Sequence, residues 1–260
     1  GGKGMNLFLL ALCAHLIGDF LLQTVSMVTA KNGGRLWIHL KHALIISSLT
    51  WLATHCYGLK AAFFYALLIG LTHLLIDTAK SYLEKGKSGG TKLFLFLFDQ
   101  GLHLIALFVF FPLFPTVNPD PHVISFYQRL QPAAPVFARS FPPVLPTWSL
   151  EKVLWIIVVY LAAVFGGAVL ITRILAWLTD QPQQERARRL SNAIGIMERL
   201  ILITLVVAEA VSAMGFVLAA KSLARYQEMN NRDFAEYYLV GTLTSFSLAL
   251  LAGLWLTAIL

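Results

Sequence analysis

Seven apolar runs constrain this chain more than anything else in it: about Met5–Val28, Leu36–Cys56, Ala61–Leu83, Lys92–Phe114, Glu151–Leu178, Ile194–Ala220 and Phe234–Leu260. Each is near or above the ~20 residues that a helix needs to cross a bilayer. Hydrocarbon offers the backbone no water, so such runs fold as helices. Composition points the same way, with 58% of the 260 residues hydrophobic, 13% charged and a mean hydropathy of +0.72. The expected fold class is an all-α integral membrane protein of about seven transmembrane helices. Residues 5–114 are expected to form a four-helix bundle, 115–150 a Pro-rich extramembrane loop, and 151–260 a three-helix C-terminal region.

The net charge of +7 is not read as a nucleic-acid footprint, and no nucleic-acid partner is expected. Its Lys and Arg residues sit mostly between the apolar runs, where they face anionic lipid. Lys31 and Arg35 fall in the first connection, Lys85 and Lys87 in the third, and Arg186, Arg188 and Arg189 in the fifth. Basic odd-numbered connections place them in the cytoplasm and the N-terminus outside. Lys221, Arg225 and Arg232, in the sixth connection, count against that orientation. Cys13 and Cys56 suggest neither a disulfide framework nor a metal spacing. The "GGKG" before Met5 is read as a cloning remnant. The first run is too long for a signal-peptide core and has no small-residue cleavage site.

Within these spans lies a repeated polar pattern. "HLIGD" (His15–Asp19) returns in the third run as "HLLID" (His73–Asp77), the fourth carries the reverse, "DQGLH" (Asp99–His103), and the second has "HLKH", with His39 and His42. Residues four apart on a helix share a face. The third helix runs parallel to the first and the fourth runs opposite, so reversing the order sets aspartate level with aspartate and histidine level with histidine. Asp77 and Asp99 both fall about 10 Å from the same membrane face at 1.5 Å per residue. Four antiparallel helices that converge carboxylates and imidazoles on one level are how bundles build two-metal sites.

The expected ligands are His15, Asp19, His39, His42, His73, Asp77, Asp99 and His103. This nitrogen and oxygen donor set suits a divalent transition metal (zinc, manganese, iron or cobalt), with room for two ions. His39 or His42 is also a candidate general acid/base, and Lys41 and Lys80 are candidate phosphate-holding residues. Gln23 and Gln100 are candidates for hydrogen bonds to the ligands. Glu209, read as mid-span, is a functional candidate by position. "LFLFLFDQ" reads as lipid-facing packing around Asp99.

These residues resemble a bacterial family known as domain of unknown function 3307. The resemblance rests on "HLIGDFLLQ", "HLKH", "HLLIDTAK" and "FDQGLHL", and on "GIMERLILITLVV", "GFVLAAKSLAR" and "EYYLVGTLTS" in the second half. It implies a bacterial inner-membrane location, without an activity. The His/Asp pattern is also similar, more loosely, to membrane-bound metal-dependent hydrolases of the YdjM type, which implies metal-dependent chemistry without fixing the reaction. The leading expectation is a metal-dependent hydrolase acting on a lipid or lipid-linked phosphate ester, so its partners are membrane lipid and a phosphate-bearing substrate. The alternative is a divalent-cation or proton transporter using the same residues. A bis-histidine haem carrier leaves the aspartates without a role, and a scaffold with structural ions is the remaining class.

Overall fold

The computed structural model describes residues 2–111, 118–130, 149–179 and 185–260. Among them it is all-helical, and seven helices are long and apolar enough to cross a membrane. The chain is a multi-pass membrane protein. It divides into two compact units, Gly1–Leu83 with Phe98–Trp155, and Glu84–Leu97 with Ile156–Leu260.

In the first unit, α1 (Gly2–Leu16) continues through a π-helical turn, Ile17–Leu21, which contains Asp19. The ladder changes register there, and the Leu22 N–H donates to Ile17 O at 3.0 Å. Such single π turns gather at functional sites. The first span therefore ends at Leu21, not near Val28 as the apolar run suggests. Thr24 is extended (ψ 157°), and its hydroxyl accepts from the Met27 N–H at 3.3 Å, capping a separate short helix, α2 (Val25–Asn32).

Next come α3 (Leu36–Thr54), α4 (Leu59–Leu83) and α5 (Gly89–Phe110), near the expected spans. Their inner faces bury Ile46, Tyr65, Ile69 and Leu107 with Leu7 and Ala11 of α1. That dry core fills one end of the bundle, because Leu7 and Ala11 precede His15 while Leu107 follows His103. The polar residues are left at the other end. Phe94, Leu97 and Phe98 are exposed along α5, as expected of a lipid-facing surface, whereas Phe96 is buried. The region expected to be a Pro-rich loop contains α6 (Pro121–Leu130). Proline is favoured at the first helical position, and Asp120 Oδ1 accepts from the His122 N–H at 2.9 Å. Residues 115–117 and 131–148 of that loop lie outside the described residues.

One span is formed by α7 (Leu150–Tyr160), a π-helical turn (Leu161–Gly166) and α8 (Gly167–Thr179), and it belongs to the second unit from Ile156 onward. The helix α9 (Glu185–Val207) follows. The sixth span was expected to reach Ala220, but it breaks after Val207. Glu209 takes a left-handed backbone (φ 57°), and α10 (Ala213–Ala224) starts beyond a turn. Glu209 is exposed in that turn and is not a mid-span residue. Finally α11 (Arg232–Ile259) is capped by Asn231, whose side chain accepts from the Phe234 N–H at 3.1 Å. Val164, Leu202, Ile203, Val206, Met214 and Ala249 form this unit's core.

Candidate metal centre

Three carboxylates and five imidazoles meet at the polar end of the first unit, and none of them is more than 9% exposed. They sort into two linked groups. Asp19, aimed by the π turn of α1, is surrounded by rings from four helices. Its Oδ1 is 3.0 Å from His42 Nε2 and 3.5 Å from His73 Nε2, and its Oδ2 is 3.6 Å from His15 Nε2. The rings of His73 and His103 stack at 4.1 Å between centroids, and His15 lies 5.0 Å from His103.

One donor atom each from His15, Asp19 and His73 lies within 4.8 Å of the others. Two imidazoles and a carboxylate are a donor set that divalent transition metals take while leaving a coordination position open. Both ring nitrogens of His73 and His15 Nε2 are buried and make no well-aligned hydrogen bond among the described residues, although Asp19 oxygens stand 3.5 and 3.6 Å from the two Nε2 atoms; His103 Nε2 is 3.4 Å from Asp99 Oδ1. Buried polar atoms ordinarily have partners. A neutral imidazole keeps one nitrogen lone pair, and imidazoles this close to the Asp19 carboxylate fit a cation between them.

The second group is built on ammonium ions. Asp77 Oδ2 lies 2.5 Å from Lys31 Nζ and 3.1 Å from His39 Nδ1. Lys80 Nζ donates to Asp99 Oδ2 at 2.8 Å and is 3.6 Å from Asp77 Oδ1. Two ammonium groups thus offset most of the charge on these two carboxylates, which lowers the cost of burying them. Lys31 sits on α2, outside the spans. Burial pushes its ammonium below the usual lysine range, and the Asp77 carboxylate opposes that shift. Gln100 joins the two groups, its Nε2 donating to Asp19 Oδ2 at 3.3 Å and to Asp99 Oδ2 at 3.1 Å.

The structure therefore brings together all eight expected ligands and Lys80, but not as one symmetric set. Asp77, Asp99 and His39 belong with the lysines, His15, His42 and His73 cluster about Asp19, and His103 lies between the groups, stacked on His73 with its Nε2 3.4 Å from Asp99 Oδ1. Lys41 is exposed, on the opposite side of α3 from His39 and His42. Gln23 makes no hydrogen bond to the centre among the described residues. Lys31 was missed by sequence reasoning, which placed it in a solvated basic connection.

Residues 7–129 match the model of a family described as a protein of unknown function, DUF3307. The chain is similar to that family over this stretch. Every residue of the centre, from His15 to His103, falls inside it. No curated protein and no solved structure matches the chain.

Proposed function

We propose that the protein is a membrane-embedded, metal-dependent hydrolase acting on a lipid or lipid-linked phosphate ester. The observation that carries this reading is the His15–Asp19–His73 donor set, enclosed by helices, in which both His73 ring nitrogens and His15 Nε2 make no well-aligned hydrogen bond among the described residues. The geometry favours one ion here over the two suggested by counting ligands, because Lys31 and Lys80 already occupy Asp77 and Asp99. A bound divalent ion would lower the pKa of a coordinated water and polarise a phosphoryl oxygen. His15, Asp19 and His73 would hold it, with His42 or His103 near enough to complete the set. Gln100 fixes the Asp19 carboxylate, and Lys80, held by Asp99 and Asp77, would lend positive charge toward an anionic phosphate only by giving up part of that pairing. His42, touching Asp19, is the placed candidate for moving a proton.

Elemental analysis of the purified protein is the first test. The expected result is about one equivalent of a transition metal, lost in Asp19→Asn and His73→Ala but retained in Asp77→Asn. The metal-loaded protein is then assayed for release of phosphate or headgroup from phospholipid and polyprenyl phosphate. Metal present with no hydrolysis of either class removes the enzyme reading and keeps the site.

One observation favours a second reading, a path for protons or cations. The rings of His15, His103, His73 and His42 follow one another at centroid separations of 5.0, 4.1 and 4.9 Å, with carboxylates alongside. Intramembrane relays are built from such groups. Proton or metal flux into proteoliposomes, abolished by His73→Ala, would support it.

A further inference from the structure

The second unit holds a largely apolar cavity, with a few charged groups, that plays no part in the reading above. Its volume is about 470 Å³, within the range of small-molecule sites. Four helices turn one face toward it: Thr172 and Leu175 of α8, Asn192 and Gly195 of α9, Val217 and Lys221 of α10, and Phe234, Tyr238, Thr242 and Ser245 of α11. The α11 positions recur at three- and four-residue intervals, as one helical face requires.

At its inner end lies Arg199, 2% exposed. It is nine residues from Leu190 and eight from Val207, about 12–14 Å from either end of its span. An arginine at that depth is costly and is ordinarily functional. Its Nε and Nη2 donate to Val164 O at 3.2 and 2.8 Å, in the π turn of the fifth span, and Nη1 donates to Ser245 Oγ at 3.2 Å. All these acceptors are neutral, and Arg199 makes no ion pair among the described residues. A Cβ on Gly195 would stand 3.2 Å from Nη1, so the small residue leaves room beside the guanidinium.

Glu198 is the one carboxylate among the described lining; its charge acts on both Arg199 and Lys221, so these three groups keep a net positive charge. Lys221 Nζ donates to Glu198 Oε2 at 2.6 Å, so the lining's carboxylate is already engaged, and Arg225 pairs with the exposed Glu228. The cavity also has a cause in the chain's course. At 12 residues, or about 18 Å, α10 is too short to cross ~30 Å of hydrocarbon. Lys221 meets Glu198 near mid-span, and the chain beyond Ala224 holds only a 3₁₀ turn before α11. The level that a full helix would have filled is left open.

We propose that this cavity binds a phosphate anion carried on a lipid headgroup, with Arg199 as its inner anchor, Lys221 beside it, and the apolar lining against the lipid's chains. Planar guanidinium donors suit phosphate oxygens, and burial beside apolar walls favours an anion attached to a hydrocarbon tail.

The test uses the full chain in detergent micelles with fluorescent phosphatidylglycerol, fluorescent diacylglycerol (the same chains without the phosphate) and inorganic phosphate. The expected result is phosphatidylglycerol bound on the order of tenfold more tightly than diacylglycerol, with the preference lost in Arg199→Met and in Thr242→Trp. The second variant fills the cavity and leaves every charge in place, so it remains informative if the first fails to fold. Equal binding of the two lipids, or a monodisperse Thr242→Trp that keeps the preference, would overturn the proposal. Displacement of the lipid by millimolar inorganic phosphate would keep the anion site but overturn the lipid as its source.

Discussion

The two units each bury charge at membrane depth, and each does so beside a π-helical turn, but they use that turn in opposite ways. In the first, the turn carries the acid itself. Asp19 sits inside Ile17–Leu21 and is aimed at rings and an amide from three other helices. In the second, the turn supplies a backbone acceptor, the Val164 carbonyl, to a base on another helix. The first centre holds opposite charges that offset one another. The second holds a cation that neutral groups solvate. Removing one member should therefore cost more in the first, where a bare charge is left behind, than in the second, where a bare carbonyl is left.

Lys80→Met tests this most strongly. It strips a cation from Asp77 and Asp99 together, and is expected to cost about 3–5 kcal/mol, read as a large fall in thermal midpoint, with Lys80→Arg retaining most of the parent's value. Arg199→Met is expected to cost about 1–3 kcal/mol, the penalty of the buried Val164 carbonyl it leaves without a donor, since the Ser245 hydroxyl can turn to another partner. If the Arg199 variant were the less stable of the two, the contrast between an offset and a solvated charge would fail. Glu209→Gly should be neutral or raise stability by about 1 kcal/mol, since it relieves a left-handed backbone at an exposed residue; a loss would show that the carboxylate itself has work in that turn. Lys41→Ala should be the quietest change, leaving metal content and midpoint as in the parent.

How legible each centre was follows from the same contrast. The spans could be read because an apolar run of about 20 residues has few alternative fates. The His/Asp layer could be read because it repeats, and because its order reverses with helix direction. Lys41 could have been excluded from sequence, since it lies two residues, about 200°, around α3 from His39. Lys31 could not, because only the break after Leu21 brings α2 back under Asp77, and nothing in "LLQTVSMVTAK" distinguishes that break from a longer span. The end of the sixth span was hidden for a similar reason. "VVAEAVSAMGF" is apolar but for Glu209 and Ser212, with no Pro or Gly at the break, and the turn at Glu209 shows in the backbone rather than in the composition. A single arginine in an apolar run, with its acceptor 35 residues away, has no local signature at all.

Asp19 also sets a clock on assembly. Its partners His42, His73 and Gln100 follow it by 23, 54 and 81 residues. At a synthesis rate of about 5–20 residues per second, Gln100 emerges about 4–16 s after Asp19. Through that interval the first helix holds its place on hydrophobicity alone, against about 2.5–3.5 kcal/mol for the carboxylate. The newborn chain must wait with its acid exposed, and the surplus of leucine and alanine around "AHLIGD" is what lets it wait inside the membrane.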